Sequence, residues 1–139
     1  MTTFLLIPGL VCNGHVWTAT RDALQATGHK TAIADVTEQE SIERMAACLL
    51  HCHAGPLVPV GHSMGGRVAM EMTRRAPDRV RALALLNTGM HPARPGEEVK
   101  REAMIRLAHD EGMDALADRW LPGMMAEGIA PDPDVLEGL

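Results

Sequence analysis

Short apolar runs alternate with amphipathic segments between residues 3 and 89 of the chain. Runs of strand-forming residues that end at glycine, proline or a polar turn are typical of buried β-strands. The pattern predicts strands over residues 3–7, 30–36, 57–60 and 80–86. Most of these runs are almost continuously apolar, which is what a sheet covered on both faces requires.

The segments between the predicted strands have apolar residues at helical spacing. They predict a helix over residues 14–26 that stops at Gly28, a second helix capped by Ser41, and a third over residues 65–75 that stops near Pro77. Strands that alternate with helices favour an α/β fold class, a three-layer sandwich in which a parallel sheet of about four strands is flanked by helices.

The pattern of predicted elements changes at Pro92. A connection rich in proline and glycine is followed by two amphipathic segments, which predict helices over residues 97–109 and 113–121. No further strand is predicted, so the sequence divides into an α/β region and a helical region.

The charge and composition of the chain argue against some classes of binding partner. The chain has 13 basic and 18 acidic residues, a net charge of −5 with histidine neutral, which argues against nucleic acid or an anionic membrane as a partner. No apolar stretch approaches the ~20 residues of a membrane span, and the start of the chain does not resemble a signal peptide. The 3 cysteines form no disulfide framework, so we expect a reduced, cytoplasmic protein.

The segment Gly61-His62-Ser63-Met64-Gly65 fits the pattern G-x-S-x-G. An apolar strand is predicted directly before it and a helix directly after it. Such a turn holds a nucleophilic serine in a strained conformation above the sheet, with glycines where side chains have no room. The alternatives are a chance match and a phosphate-binding loop. A chance match is disfavoured because the segment has the expected strand before it and the expected helix after it, and a phosphate-binding loop is disfavoured because no Lys-Ser/Thr pair follows.

A second signal is the predicted strand that ends at Pro8-Gly9-Leu10. The loop after such a strand contributes one backbone N–H group to an oxyanion hole, and the residue after the nucleophile contributes the other. We therefore expect the N–H groups of Leu10 and Met64 to stabilise an oxyanion beside Ser63.

These motifs resemble the α/β-hydrolase superfamily, in particular its small bacterial esterase-type members. The resemblance extends over residues 3–89 and includes LLIPGL, Trp17, Asp35, GHSMGG and the segment from Ala76 to Leu86. It implies that residues 1–95 are the N-terminal part of a hydrolase core and that residues 96–139 begin a helical cap. Pro8 stands where many members have histidine, which matters little because the oxyanion donor is a backbone group.

The resemblance also implies a catalytic acid and then a histidine on loops that follow later strands. No residue after Ser63 fits these roles well. Asn87 is uncharged, and a Ser63–His91 pair is disfavoured because no carboxylate is present to orient the ring. The remaining acids are on predicted helices or in a proline-rich tail: Asp110, Asp114, Asp118, Asp132 and Asp134. We therefore expect this chain to be the N-terminal part of a longer hydrolase and nearly inactive alone.

Several other residues have two interpretations. Cys48, His51 and Cys52 share a helical face with His53 beside them, but their position at a helix end favours a structural role over a metal site. Cys12 is expected to be an inert thiol rather than a redox sensor, and His62 a packing residue rather than the base. Four methionines of the helical region could line a substrate site or fill the core of a cap: Met104, Met113, Met124 and Met125.

Together these observations favour hydrolysis of a small-molecule ester or related bond through an acyl-enzyme on Ser63, with no cofactor and no metal ion. A truncated, non-catalytic binding module is the alternative from another class, and a haloperoxidase-like or C–C bond hydrolase activity is a further one. We also expect the exposed edge of the last strand to allow self-association.

Overall fold

The computed structural model describes residues 1–125, 127 and 128 of the 139-residue chain. It contains two compact units, of which the first comprises Met1–Gly89 and the second begins at Met90. The Asp132 and Asp134 considered as catalytic acids lie outside the described residues.

The first unit contains four strands and three α-helices in alternating order. In chain order they are β1 (Thr3–Ile7), α1 (Thr18–Ala26), β2 (Lys30–Ile33), α2 (Ile42–Cys52), β3 (Leu57–His62), α3 (Met64–Arg75) and β4 (Ala84–Leu86). Short 3₁₀ turns occupy Gly14–Trp17 and Pro77–Arg79.

The sheet has the strand order β2-β1-β3-β4, and all its neighbours are parallel. The chain moves outward from β1 to β2, returns to the other side of β1 with β3, and continues to β4. The order therefore reverses between β1 and β3, and the crevice at the carboxyl ends of these two strands is the topological switch point where open α/β sheets bind ligands. The predicted α/β fold class with a parallel four-stranded sheet is confirmed.

Both faces of the sheet are covered by apolar side chains. On one face, Leu5, Ile7 and Leu57 pack with residues of α2 and α3 such as Leu49 and Val68. On the other face, the buried cluster consists of Leu6, Trp17 and Val60. Burial on both sides explains why these strands lack the polar alternation of a half-exposed sheet.

Two strands are shorter than predicted. The prediction for β2 reached residue 36, but the Asp35 carboxylate accepts hydrogen bonds from the backbone N–H and the hydroxyl of Thr37, at 3.0 and 2.7 Å, and turns the chain. The predicted run 80–86 forms only an isolated bridge between Val80 and Leu57 before β4 begins at Ala84. The side-chain turn at Asp35 thus offers the backbone an alternative to further pairing in the sheet.

The helix predicted over residues 14–26 begins instead as a 3₁₀ turn and becomes α-helical at Thr18. Asn13 caps this turn, because its side-chain oxygen accepts a hydrogen bond from the N–H of His15 at 2.8 Å. The tight turn places Trp17 on the sheet, where it is buried.

Both ends of α2 are held by side chains. Ser41 caps the start as predicted, with its hydroxyl oxygen accepting from the N–H of Arg44 at 3.2 Å. At the other end, the guanidinium of Arg79 donates to the carbonyl oxygens of Leu50 at 2.7 Å, of Gly55 at 3.2 Å, and of His53. One side chain thereby ties the end of α2 to the segment that leads into β4.

The second unit contains α4 (Glu97–Glu111) and α5 (Met113–Trp120), followed by a 3₁₀ turn at Leu121–Gly123. Both helices agree closely with the predicted ranges. Gly112, at a φ of 92°, separates them. Leu116 of α5 is buried, whereas no residue of α4 is. None of the helices in the described part of the chain is both long and apolar enough to cross a membrane.

Candidate active site

Ser63 lies at the switch point, in the one-residue turn between β3 and α3. Its φ of 51° and ψ of −115° are a conformation that residues with a Cβ atom rarely adopt. The strained serine that the motif predicted is therefore present.

Hydrogen bonds from two directions hold this conformation. The N–H of Ser63 donates to the carbonyl oxygen of Leu86 at 2.9 Å, and its carbonyl oxygen accepts from the N–H of Gly66 at 3.1 Å. The hydroxyl of Thr88 also donates to the Ser63 carbonyl, at 3.3 Å. All these bonds engage the serine backbone, so they fix the residue without using its hydroxyl.

The glycines of the motif occupy positions where a side chain would overlap other atoms. A Cβ atom at Gly61 would overlap the backbone of Gly65, and one at Gly65 would overlap the carbonyl groups of Ile7 and Pro8. At Gly66 it would overlap the side chain of Thr88. The turn is thus packed directly against the end of β1 and against the segment after β4.

The loop after β1 passes beside the serine. A Cβ atom on Gly9 would lie 3.4 Å from the Cβ of Ser63 and 3.0 Å from the Nδ1 of His62. The N–H of Cys12 donates to the carbonyl oxygen of Gly9 at 3.3 Å, which closes a tight turn around Leu10. His62 is half-buried with its ring beside Gly9, a position that agrees with a packing role.

Met64 is the first residue of α3, so its N–H is one of those that an α-helix leaves without an internal acceptor. It also lies at the positive end of the helix dipole, which favours a developing negative charge. Leu10 is in the adjacent loop and 46% exposed. The convergence of their two N–H groups on one oxyanion remains a prediction.

Thr88 is a site residue that sequence reasoning missed, because it lies just beyond the strand predicted over residues 80–86 and belongs to no motif. Its hydroxyl lies within hydrogen-bond distance of both the Ser63 and Leu86 carbonyl oxygens, at 3.3 and 3.2 Å. A hydroxyl residue two positions beyond the strand next to the nucleophile strand was the available signal. Asn87 itself is exposed, at a φ of 48°.

The candidates for acid and base after residue 89 belong to the second unit. His91 is exposed, and its Nδ1 lies 3.0 Å from the carbonyl oxygen of Pro92. Asp110 lies 3.0 Å from the Nδ1 of His109 and is exposed at the end of α4. Asp114 and Asp118 are on α5, as expected from the sequence.

A cavity of about 220 Å³ lies between the loop after β1 and the end of β2. Pro8, Cys12 and Asn13 line it from the loop, and residues from Ile33 to Thr37 line it from the end of β2. Burial raises the pKa of the Cys12 thiol, which disfavours the reactive thiolate and agrees with an inert thiol. The hydrogen bonds from Thr37 lower the pKa of Asp35, so a carboxylate is maintained at the rim.

The described residues contain no group of three or more His, Cys, Asp or Glu side chains that could hold a metal ion. Cys48 and Cys52 do lie close together, with 3.9 Å between their sulfur atoms. Burial, and then the charges of Arg79 and Lys30, lower the pKa of His53. His53 is therefore a neutral ring at the end of α2 at neutral pH.

The fold and the candidate site define an α/β protein with a strained serine at the switch point of a parallel sheet. A family model described as alpha/beta hydrolase fold matches residues 39–119. This chain belongs to the α/β-hydrolase family, as the sequence motifs indicated.

Individual relatives agree with this assignment. Lipase LipV of Mycobacterium tuberculosis is 32% identical over 121 residues, which cover 79% of this chain and 45% of the lipase. A thermophilic esterase from Thermogutta terrifontis superposes with a TM-score of 0.74 at 26% identity, over 88% of this chain and 50% of the esterase.

A carboxylesterase from the thaumarchaeon Nitrososphaera gargenis superposes with a TM-score of 0.71 at 20% identity, over 95% of this chain and 53% of that protein. At this identity the match shows the fold alone. The chain spans about half the length of the relatives that it matches.

Proposed function

We propose that this chain provides the nucleophile and the oxyanion hole of a serine hydrolase that cleaves a small-molecule ester or related bond. The observation that carries the proposal is the conformation of Ser63, with a φ of 51° at the switch point of the sheet. The lipase and esterase relatives support an ester as the substrate class.

In this mechanism the hydroxyl of Ser63 attacks the carbonyl carbon of the ester, and its proton passes to a general base. The backbone N–H groups of Leu10 and Met64 stabilise the oxyanion of the tetrahedral intermediate, assisted by the start of α3. The base then returns the proton to the leaving oxygen, so that the alcohol departs and an acyl-enzyme forms on Ser63, which water hydrolyses. No cofactor takes part in these steps.

A histidine base and an acid that orients it are still required. We propose that both come from sequence outside this chain, and that the chain alone is nearly inactive. The hydrogen bonds of Ser63 support this view, because within the described residues they engage its backbone rather than its hydroxyl. The helices of the second unit are proposed to begin the helical cap that the sequence predicts from residue 96.

The test uses the protein encoded by the complete reading frame that contains this chain. A fluorophosphonate probe should label the wild-type protein but not the Ser63→Ala variant, and ester turnover should fall by several orders of magnitude. Ser41→Ala is the matched control, because Ser41 caps α2 and should retain labelling. Labelling that persists in Ser63→Ala would show that the nucleophile is elsewhere.

The oxyanion assignment has its own measurement. In a structure of the phosphonylated protein, the N–H groups of Leu10 and Met64 should both lie about 3 Å from the phosphonyl oxygen. An arrangement in which the two groups point to opposite sides of the sheet would refute it.

The alternative, a non-catalytic binding module, makes a different prediction about the complete protein. Such a protein would neither turn over a p-nitrophenyl ester nor react with the probe. Robust turnover by the 139-residue chain alone, abolished in Ser63→Ala, would preserve the role of Ser63 but contradict the proposal that the base lies outside the chain.

We also propose that the chain self-associates through β4. Within the described residues β4 pairs with β3 on one edge and with no strand on the other. Leu83, Leu85 and Leu86 are 38%, 40% and 42% exposed, respectively. An unpaired apolar edge strand favours pairing with another chain.

A further inference from the structure

The hydroxyl of Thr88 takes a place in the sheet that a backbone N–H group normally fills. The register of β3 and β4 pairs His62 with Leu86. The next bonds of a parallel ladder would run from the N–H of Ser63 to the Leu86 carbonyl and from the N–H of Thr88 to the Ser63 carbonyl. The first of these is present at 2.9 Å. The second comes from the Thr88 side chain, whose hydroxyl donates to the Ser63 carbonyl at 3.3 Å.

This arrangement holds the Ser63 carbonyl although β4 has already ended. Asn87, the residue after the strand, has a φ of 48°. The Thr88 hydroxyl also lies 3.2 Å from the Leu86 carbonyl oxygen. Both distances exceed the ~2.8 Å that is typical of a single O–H···O bond, as expected for one proton shared by two acceptors. A Cβ atom at Gly66 would overlap the Thr88 side chain, so the start of α3 packs directly against it.

We propose that Thr88 is a positioning residue for the oxyanion hole: it aims the N–H group of Met64 by holding the carbonyl group of Ser63. This inference rests on the proposed function. The two groups belong to one trans peptide unit, so they point in opposite directions within one plane. The ψ of −115° at Ser63 sets that plane, and hydrogen bonds to the carbonyl oxygen restrain it.

The two donors to the Ser63 carbonyl come from different elements. The N–H of Gly66, at 3.1 Å, belongs to α3 and moves with that helix. The Thr88 hydroxyl comes from the segment after β4, so it ties the peptide plane to the sheet. The loop that contains Leu10 follows β1 of the same sheet. The Thr88 bond therefore relates both proposed oxyanion donors, the N–H groups of Leu10 and Met64, to one frame.

The test compares Thr88→Val with Thr88→Ser in the protein encoded by the complete reading frame. Valine keeps a branched side chain against Gly66 without the hydroxyl, whereas serine keeps the hydroxyl without the methyl group. Thr88→Val should lower kcat for a p-nitrophenyl ester by about 10-fold at unchanged KM, because the oxyanion forms only after the ester has bound. Loss of a whole donor costs roughly 100-fold or more, but Met64 keeps its N–H here. Thr88→Ser should retain nearly the wild-type kcat.

Thr73→Val is the matched control. Thr73 is half-buried on α3, and its hydroxyl donates to the Ala69 carbonyl at 2.9 Å within the helix, so this variant should keep the wild-type kcat. Circular dichroism establishes that each variant is folded. A packing role for Thr88 would reverse the order, with Thr88→Ser slower than Thr88→Val, and that order would overturn the proposal. Wild-type kcat in a folded Thr88→Val variant would overturn it as well.

A second readout requires neither turnover nor a probe. The amide ¹⁵N resonance of Met64 responds to hydrogen bonds that the Ser63 carbonyl accepts, because both belong to the same peptide unit. It should shift in Thr88→Val and in the smaller Thr88→Ala, which replaces valine if that variant does not fold, but not in Thr73→Val. An unchanged Met64 resonance would refute the role of Thr88 alone, whereas labelling that persists in Ser63→Ala would refute the proposed nucleophile.

Discussion

Replacement of Arg79 by methionine tests whether a single side chain holds the end of α2. The guanidinium donates to three backbone carbonyls, those of Leu50, His53 and Gly55, from a position 24 to 29 residues away in the sequence. Methionine retains much of the aliphatic stem but supplies no donor. The variant therefore removes the hydrogen bonds while preserving most of the packing.

The size of the effect follows from these three contacts. A hydrogen bond to a charged group contributes roughly 1.5–3 kcal/mol. Gly55 is exposed and His53 half-buried, so water can replace part of what is lost there. We expect Arg79→Met to lower the free energy of unfolding by about 2–4 kcal/mol, less than the sum of three full contributions.

Urea denaturation measures this change, with a shift of the midpoint at an unchanged m-value. Arg81→Met is the matched control: Arg81 is exposed and uses its backbone N–H, which the substitution keeps, to bond the Leu57 carbonyl. The control should cost less than about 0.5 kcal/mol. A second readout is the pKa of His53 by NMR, which should rise when the positive charge of Arg79 is removed.

Equal destabilisation by Arg79→Met and Arg81→Met would refute the reasoning, because general loss of surface charge would then explain both. An unchanged His53 pKa in a folded Arg79→Met variant would also contradict the proximity of the two groups.

Three further predictions concern pH, packing and association. The pKa of His53 is lower in the folded chain than in the unfolded chain, so the unfolded chain binds more protons and the free energy of unfolding should fall as the pH drops below about 6.5. Urea titrations at several pH values should show a weaker pH dependence for His53→Gln. Gly65→Ala should lower the stability in thermal melts by about 1–3 kcal/mol or more, because its methyl group would overlap backbone carbonyl groups. Gly123→Ala is the control and should be nearly neutral, because its methyl group would meet nothing within 4 Å. Leu85→Lys should reduce self-association in analytical ultracentrifugation, and an unchanged oligomer distribution would argue against the β4 edge as the contact.

The sequence predicts the order and type of the main elements because apolar runs and caps are local signals. β1 begins and ends at the predicted residues, and Ser41 caps α2 as expected. The strained Ser63 was also predictable, because a strand, a G-x-S-x-G segment and a helix in succession leave one geometry for the turn.

The remaining features depend on contacts that local patterns do not contain. The hydrogen bonds from Thr37 to Asp35 shorten β2, and the partners of Arg79 are apparent only once α2 and the segment before β4 have packed together. Thr88 escaped notice for the same reason, since its hydroxyl meets the Ser63 carbonyl across 25 residues of sequence. The acid and the base remain proposals, because no local pattern in this sequence predicts which residues fill these roles.

The positive φ of Ser63 has a consequence for the evolution of this protein. A strained residue with a Cβ atom costs on the order of 1–3 kcal/mol, and glycine adopts such a conformation with much less strain. Mutation toward greater stability therefore favours glycine at position 63, which has no side chain to serve as the proposed nucleophile. In a lineage that does not depend on catalysis, selection for stability alone would therefore favour loss of this serine.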